Sequence, residues 1–192
     1  MHRIFFAILT VAATMLWGTQ LFAQAQQATY NKDIAVSASK VGDLVIIDAS
    51  LLVPASQRET WDVLVDYDHM AQFLPNLQSS KILSQSATQL RVLQKGGVTH
   101  GPLSVVFDVV RDVQLMPYQQ ITSHVIAGNL KKVDSTTRVT AEGDVVRVRF
   151  HSESIPNVWV PPGIGPALIE SETREQFSDV RNEILRRKAI TK

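Results

Sequence analysis

The sequence has 192 residues and not one cysteine. That absence removes thiol catalysis, Cys-ligated zinc, iron–sulfur clusters and redox switching. It also removes a lipidated N-terminal cysteine. An excess of charge is missing too, since 19 Lys+Arg face 18 Asp+Glu. A nucleic-acid binder usually carries a basic excess or stripe, so nucleic acid is not an expected partner. No GxGxxG, Walker loop or GxSxG elbow occurs. Gly163-Ile164-Gly165 sits between prolines, and Gly96-Gly97 lies between strand-like segments; both read as turns. Beyond the N-terminal segment the histidines are His69, His100, His124 and His151, at least 24 residues apart and without HxxxH, HExxH or HxH spacing. No metal, no cofactor and no catalytic residue is therefore expected. After residue 25 no run approaches the roughly 20 apolar residues that span a bilayer.

What is present begins with an address. Met1-His2-Arg3 is a short positive start, and Ile4 to Trp17 is 14 uncharged, mostly apolar residues. Ala23-Gln24-Ala25 then gives an A-x-A cleavage pattern, with cleavage after Ala23 or Ala25. This is the layout of a secretory signal peptide over residues 1–25. Cleavage after Ala25 leaves 167 residues with 18 basic and 18 acidic side chains. A near-neutral, exported, cysteine-free chain suits the bacterial periplasm, because exported eukaryotic domains more often carry disulfides. Its neutrality also argues against strong attachment to anionic lipid.

Residues 26–41 are polar and small, and read as a flexible tail. The domain is expected over 42–190. Leu44 to Val53 alternates as a strand, with Val45, Ile47, Ala49 and Leu51 on one face. Ser56-Gln57-Arg58-Glu59 has capping-box spacing ahead of a helix bearing Trp61, Leu64 and Val65. Asp66 and Asp68 suit the start of a second short helix bearing Met70, Phe73 and Leu74. Asp62 and Asp66 could share a helix face, which reads as capping and a solvated face.

Strands then follow over 78–83, 89–94, 103–115, 120–127, 131–141 and 145–155. Gly128-Asn129 and Gly143-Asp144 fit two-residue hairpin turns. Val146, Val148 and Phe150 alternate with Arg147, Arg149 and His151, and the two arginines have Asp48 as an expected cross-strand partner. One-sided burial of this kind means that something covers a single sheet face. The cover is a C-terminal helix opened by Pro166, with Ile169, Thr173, Phe177, Val180 and Ile184 at helical spacing. Glu170/Arg174 and Glu183/Arg187 are i,i+4 pairs in the favourable orientation, with acids in the first turn and bases in the last.

The order is strand, two short helices, a long antiparallel run and a C-terminal helix. Val53-Pro54-Ala55-Ser56, Trp61, Leu64, Asp66-Tyr67, Met70, Phe73 and Pro75 make it specific. Gly128-Asn129-Leu130 before a strand pair, and Ile155-Pro156 leading through a Pro-rich loop, agree with it. This pattern resembles the START-like (SRPBCC) superfamily, in particular its polyketide cyclase/dehydrase and coenzyme Q-binding branch, over roughly Gly42 to Lys188. The resemblance implies an α+β helix-grip fold: a curved antiparallel sheet of about seven strands around a long C-terminal helix, two short helices after the first strand, and an apolar cavity between sheet and helix. Such families bind lipids, quinones, polyketides or other hydrophobic molecules, and a minority are cyclases or dehydratases. The matching motif is one of packing and turns, so it transfers no catalytic residue. The signal peptide departs from coenzyme Q-binding proteins, which work in mitochondria or bacterial cytosol.

The expectation is an exported protein that binds or transfers a hydrophobic small molecule, a lipid, quinone or polyketide-like compound. Side-chain parity places Val92, Phe107, Val109, Val125 and Phe150 on the sheet side of the cavity, Phe177 on the helix side and Trp159 at the rim. The apolar Pro-rich loop 155–166 favours a pocket rim over simple core closure or transient membrane contact. One alternative is a cyclase- or dehydratase-like enzyme in the same cavity. On parity Asp108, His124 and His151 point out and Arg111 points in. The other is a non-catalytic envelope module that binds another protein through the Pro-rich loop.

Overall fold

A computed structural model describes residues 32–100, 103–156 and 165–191. Eight strands form one antiparallel sheet: β1 (Ile34–Val41), β2 (Leu44–Val53), β3 (Leu77–Gln85), β4 (Gln89–His100), β5 (Leu103–Met116), β6 (Gln120–Gly128), β7 (Lys132–Glu142) and β8 (Val145–Ile155). Helix α1 (Gln57–Leu64) and a 3₁₀ helix (Tyr67–Gln72) follow β2, and helix α2 (Gly165–Ile190) ends the fold. The sheet order is β1-β2-β8-β7-β6-β5-β4-β3. This is the START helix-grip architecture. Strands β3 to β8 run as successive hairpins, and β2 pairs with β8 to complete the sheet.

The eighth strand is β1, which corrects the reading of residues 34–41 as part of a flexible tail; residues 26–31 lie outside the described residues. Ile34 to Val41 pairs with β2 through a tight turn in which Gly42 takes φ +60°. Ile34, Val36, Ala38 and Lys40 face inward, alternating with exposed Ala35, Ser37, Ser39 and Val41. Three of those exposed positions are alanine or serine, so the alternation is faint in the sequence. Strand β2 and an Arg174 hydrogen bond to the Ile34 carbonyl (2.7 Å) hold the strand in place.

The capping box closes as expected. Glu59 N–H donates to Ser56 Oγ (3.2 Å), and Ser56 N–H donates to the Glu59 carboxylate (2.7 Å). Gly143-Asp144 is a two-residue turn, whereas residues 129–131 make a longer connection between β6 and β7. Asn129 ties that connection back to β5, accepting from Asp108 N–H and donating to the Val106 carbonyl (both 2.9 Å). Gly96 and Gly97 lie inside β4 and not in a turn, because the chain at Asn76 passes over them: Gly97 N–H donates to the Asn76 carbonyl (2.9 Å). Asp48 pairs with His151 (2.8 Å), not with either arginine; Arg147 instead takes Glu142 (2.7 Å). The register sets Asp48 opposite His151.

The last turns of α2 lock onto the first helices. Glu183 is buried and accepts from Arg186 and Arg187 (2.7 and 2.6 Å). Arg187 also reaches Asp66 (2.7 Å), which is hydrogen-bonded to His69 (2.6 Å). The Arg186 hydrogen bond, opposed by burial and reinforced by Arg187, holds the Glu183 carboxyl at about 2, against an ordinary 4.5. The folded state therefore favours the ionised form. Stability from this cluster is complete above pH 4.5 and is lost as pH falls from there toward 2. Thermal melts from pH 6 to pH 3 should show that decline. Glu183→Gln should lower the pH 6 melting temperature by about 3–8 °C and flatten the decline.

Candidate functional site

The inner sheet face and α2 do not close on each other completely. Between them lies a cavity of about 470 Å³, within the roughly 300–1,000 Å³ range of small-molecule pockets. Val45, Ile47, Leu51, Val105, Phe107, Ile121, Val148 and Phe150 line the sheet side. Leu168, Ile169, Thr173, Gln176, Phe177 and Val180 line the helix side. Phe150 and Phe177 meet across the gap at 5.7 Å between ring centroids, tilted by 60°. Two other depressions, of about 410 and 280 Å³, are open troughs on the sheet surface among side chains such as Asp48, Asp134 and His151. They have no apolar enclosure.

Some of the polar side chains of the cavity form a cross-strand group. Ser123, Ser135 and Ser152 are register partners on β6, β7 and β8, and all three line the cavity. They form a row of hydroxyls across three neighbouring strands. Arg111, two residues before the Val113 that faces Ser123, also lines it. This arginine is half-buried, and its Nε is buried with no hydrogen-bond partner among the described residues. Burial pushes the guanidinium pKa down, and the nearby Tyr67 phenol acts against that shift. Tyr67 is itself buried, and burial pushes its pKa up, so it keeps its proton. Gln94 donates to Ser80 (3.1 Å), while Asn76 Oδ1 is buried without a partner among the described residues. Arg111, Tyr67 and Glu172 are the titratable side chains among the described lining residues.

The residues expected at the site divide into groups. Phe107, Phe150 and Phe177 line the cavity. Val92 and Val109 are fully buried but lie outside its lining. Parity gave their face correctly but not their depth. The 3₁₀ helix covers this part of the sheet, bringing Met70 Sδ to 3.7 Å from Gln94 Nε2. Val125 is half-buried and also outside the lining. It lies one residue past His124, where β6–β7 pairing stops, and the β5–β6 register shifts between Val110 and Arg111. Trp159 lies outside the described residues. Sequence reasoning missed the serine row. Its signal was present: Ser123 and Ser152 share the strand parity of Ile121 and Phe150. A serine within an alternating pattern simply reads as a blurred position. Among the described residues no group of three or more His, Asp or Glu is placed to hold a metal ion.

Comparison with known proteins agrees with this geometry. A family model described as polyketide cyclase / dehydrase and lipid transport matches residues 53–175. A STAR-related lipid transfer protein from Xanthomonas axonopodis superposes with a TM-score of 0.64 at 15% identity, covering 79% of this chain and 93% of the other. The human StarD13 lipid transfer and protein localization domain gives 0.61 at 14% identity, covering 85% and 96%. An aromatase/cyclase from a Streptomyces species gives 0.59 at 13% identity, covering 74% and 92%. At such identities the likeness is one of fold. No curated protein sequence matches the chain significantly.

Proposed function

The chain belongs to the polyketide cyclase/dehydrase and lipid-transport family, and we propose that within it this protein is an exported carrier of a hydrophobic small molecule. The observation that carries this reading is the cavity of about 470 Å³, walled by aliphatic and phenylalanine side chains from both sheet and helix. Removing an apolar ligand from water into such a wall contributes about 25 cal/mol per Å². Grouped polar atoms then fix its orientation. The N-terminal segment supplies export, with cleavage after Ala23 or Ala25.

A cyclase- or dehydratase-like activity would need an acid or base that exchanges protons near neutral pH. The Tyr67 phenol is pushed up and the guanidinium keeps its proton at neutral pH even with its pKa lowered. Both features support carriage over catalysis by these two groups, and a catalytic reading would rest on the lining carboxylate Glu172.

The test is to purify full-length protein from the exporting compartment of its own host and analyse it by native mass spectrometry and solvent extraction. A bound hydrophobic molecule and a mass showing loss of the first 23 or 25 residues are expected. An empty protein that also fails to bind a panel of fluorescent lipids would overturn the carrier reading, an intact N-terminus would overturn cleavage, and absence of the protein from that compartment would overturn export.

A further inference from the structure

The cavity contains a charge for which no counter-charge acts among the described residues. Arg111 is half-buried beside the apolar chamber, and its Nε faces no acceptor among the described residues. Tyr67 is the neighbour that acts on its charge, and it is a neutral phenol. Glu172, the carboxylate that also lines the cavity, has its own interactions and is not among the groups acting on Arg111. A guanidinium does not shed its proton to escape burial, as a lysine can. When a ligand enters and displaces water, the positive charge must still be matched. A neutral apolar ligand would strip its solvation and give nothing back.

Beside this charge runs the serine row. Ser123, Ser135 and Ser152 are cross-strand partners, so their Cα atoms follow the strand spacing of about 4.8 Å and the row spans roughly 10 Å. Ser123 and Ser152 are buried, and all three line the chamber. A hydroxyl both donates and accepts, so the row can serve oxygen atoms next to an anionic group. The rest of the wall is mainly apolar, with Phe107, Phe150 and Phe177 as its bulk and Thr137, Ser154, Thr173 and Gln176 among its polar members. Charge, hydroxyls and apolar wall thus follow one another across a single chamber.

We infer that the cavity takes an acidic amphiphile, its one anionic head on Arg111, its adjoining oxygens along Ser123, Ser135 and Ser152, and its apolar body between sheet and helix. This inference rests on the carrier reading and narrows it to a ligand class. Carboxylate and phosphate heads share the required chemistry: each offers two oxygens to the planar fork of the guanidinium.

Three probes with the same tail decide it: dodecanoate, monododecyl phosphate and dodecan-1-ol, titrated calorimetrically into the full-length protein at pH 7. At least one acid should bind about 30-fold or more tighter than the alcohol, and the tighter acid assigns the head. In Arg111→Met that preference should shrink to within about threefold. Arg111→Lys, which keeps the charge but loses the fork, should retain an intermediate preference. Alcohol binding as tight as both acids, or equal weakening of all three probes in Arg111→Met, would overturn the inference and leave the carrier reading standing. No binding by any probe would overturn both. If Arg111→Met fails to fold, the wild-type acid-to-alcohol ratio and Arg111→Lys decide the question.

Discussion

Ser152→Phe is expected to lower the affinity for hydrophobic probes by about 30-fold or more while leaving the melting temperature within about 3 °C of wild type. Ser152 is 5% exposed and sits on the cavity floor between Ser135 on β7 and Ile47 on β2. A side chain buried in a filled core cannot grow by a phenyl ring without forcing its neighbours off their rotamers, which costs about 1–3 kcal/mol or more. A side chain facing an exchangeable chamber can, because the ring occupies the volume that the ligand otherwise takes. It also adds apolar contact with Phe150 and Phe177, which already bridge the gap. Thermal melts and probe titration read the two effects separately. Lost stability together with unchanged binding would mean that the volume beside Ser152 is not where ligand sits.

The second large effect is expected at Gly96. A Cβ there would lie 2.1 Å from the Asn76 carbonyl oxygen and 2.7 Å from Phe107 Cζ. The carbonyl cannot withdraw freely, since Gly97 N–H holds it at 2.9 Å. Gly96→Ala should therefore destabilise the protein by about 3–5 kcal/mol, and Gly96→Val should prevent soluble expression. The comparison is Gly143. It has φ +64°, but nothing lies within 4 Å of an added Cβ. Gly143→Asn should cost about 1 kcal/mol or less, since asparagine tolerates the left-handed region. Urea denaturation of the pair separates close approach from backbone conformation. Equal losses at the two sites would contradict the packing seen around Gly96.

The Gly96 case also shows where sequence reading stops. A Gly-Gly pair between two apolar segments has the composition of a turn. Its true cause is a backbone from another element lying across the strand, which no local pattern records. By contrast, the capping box, the alternation in β5 and β8, and the ion pairs of α2 are set by neighbours within a few residues. All of them were legible. At the cavity, the aromatic lining followed from parity because Phe107, Phe150 and Phe177 are large and face inward wherever the strand or helix pattern is unambiguous. Val92 and Val109 face the same way yet lie beneath other atoms, since depth depends on how the 3₁₀ helix settles on β4. Arg111 was visible on parity alone, but that its Nε has no partner among the described residues needed the surrounding elements in place. Acids were expected in the first turn of α2 and are absent there, because the helix begins at Gly165 and Glu170 lies beyond that turn.

The position of β8 beside β2 has a consequence for the order of assembly. The hairpin pairings from β3 to β8, and β1 with β2, join segments adjacent in the chain, so each closes a short loop. Pairing Leu51 with Val148 instead joins residues almost one hundred positions apart. Closing so long a loop is entropically costly and slow relative to forming local hairpins. The six-strand meander can therefore form first, with its inner face still open to water. The binding chamber comes into existence late, when β2 zips onto β8 and α2 is drawn down over it. Until then a newly made chain exposes its greasiest surface.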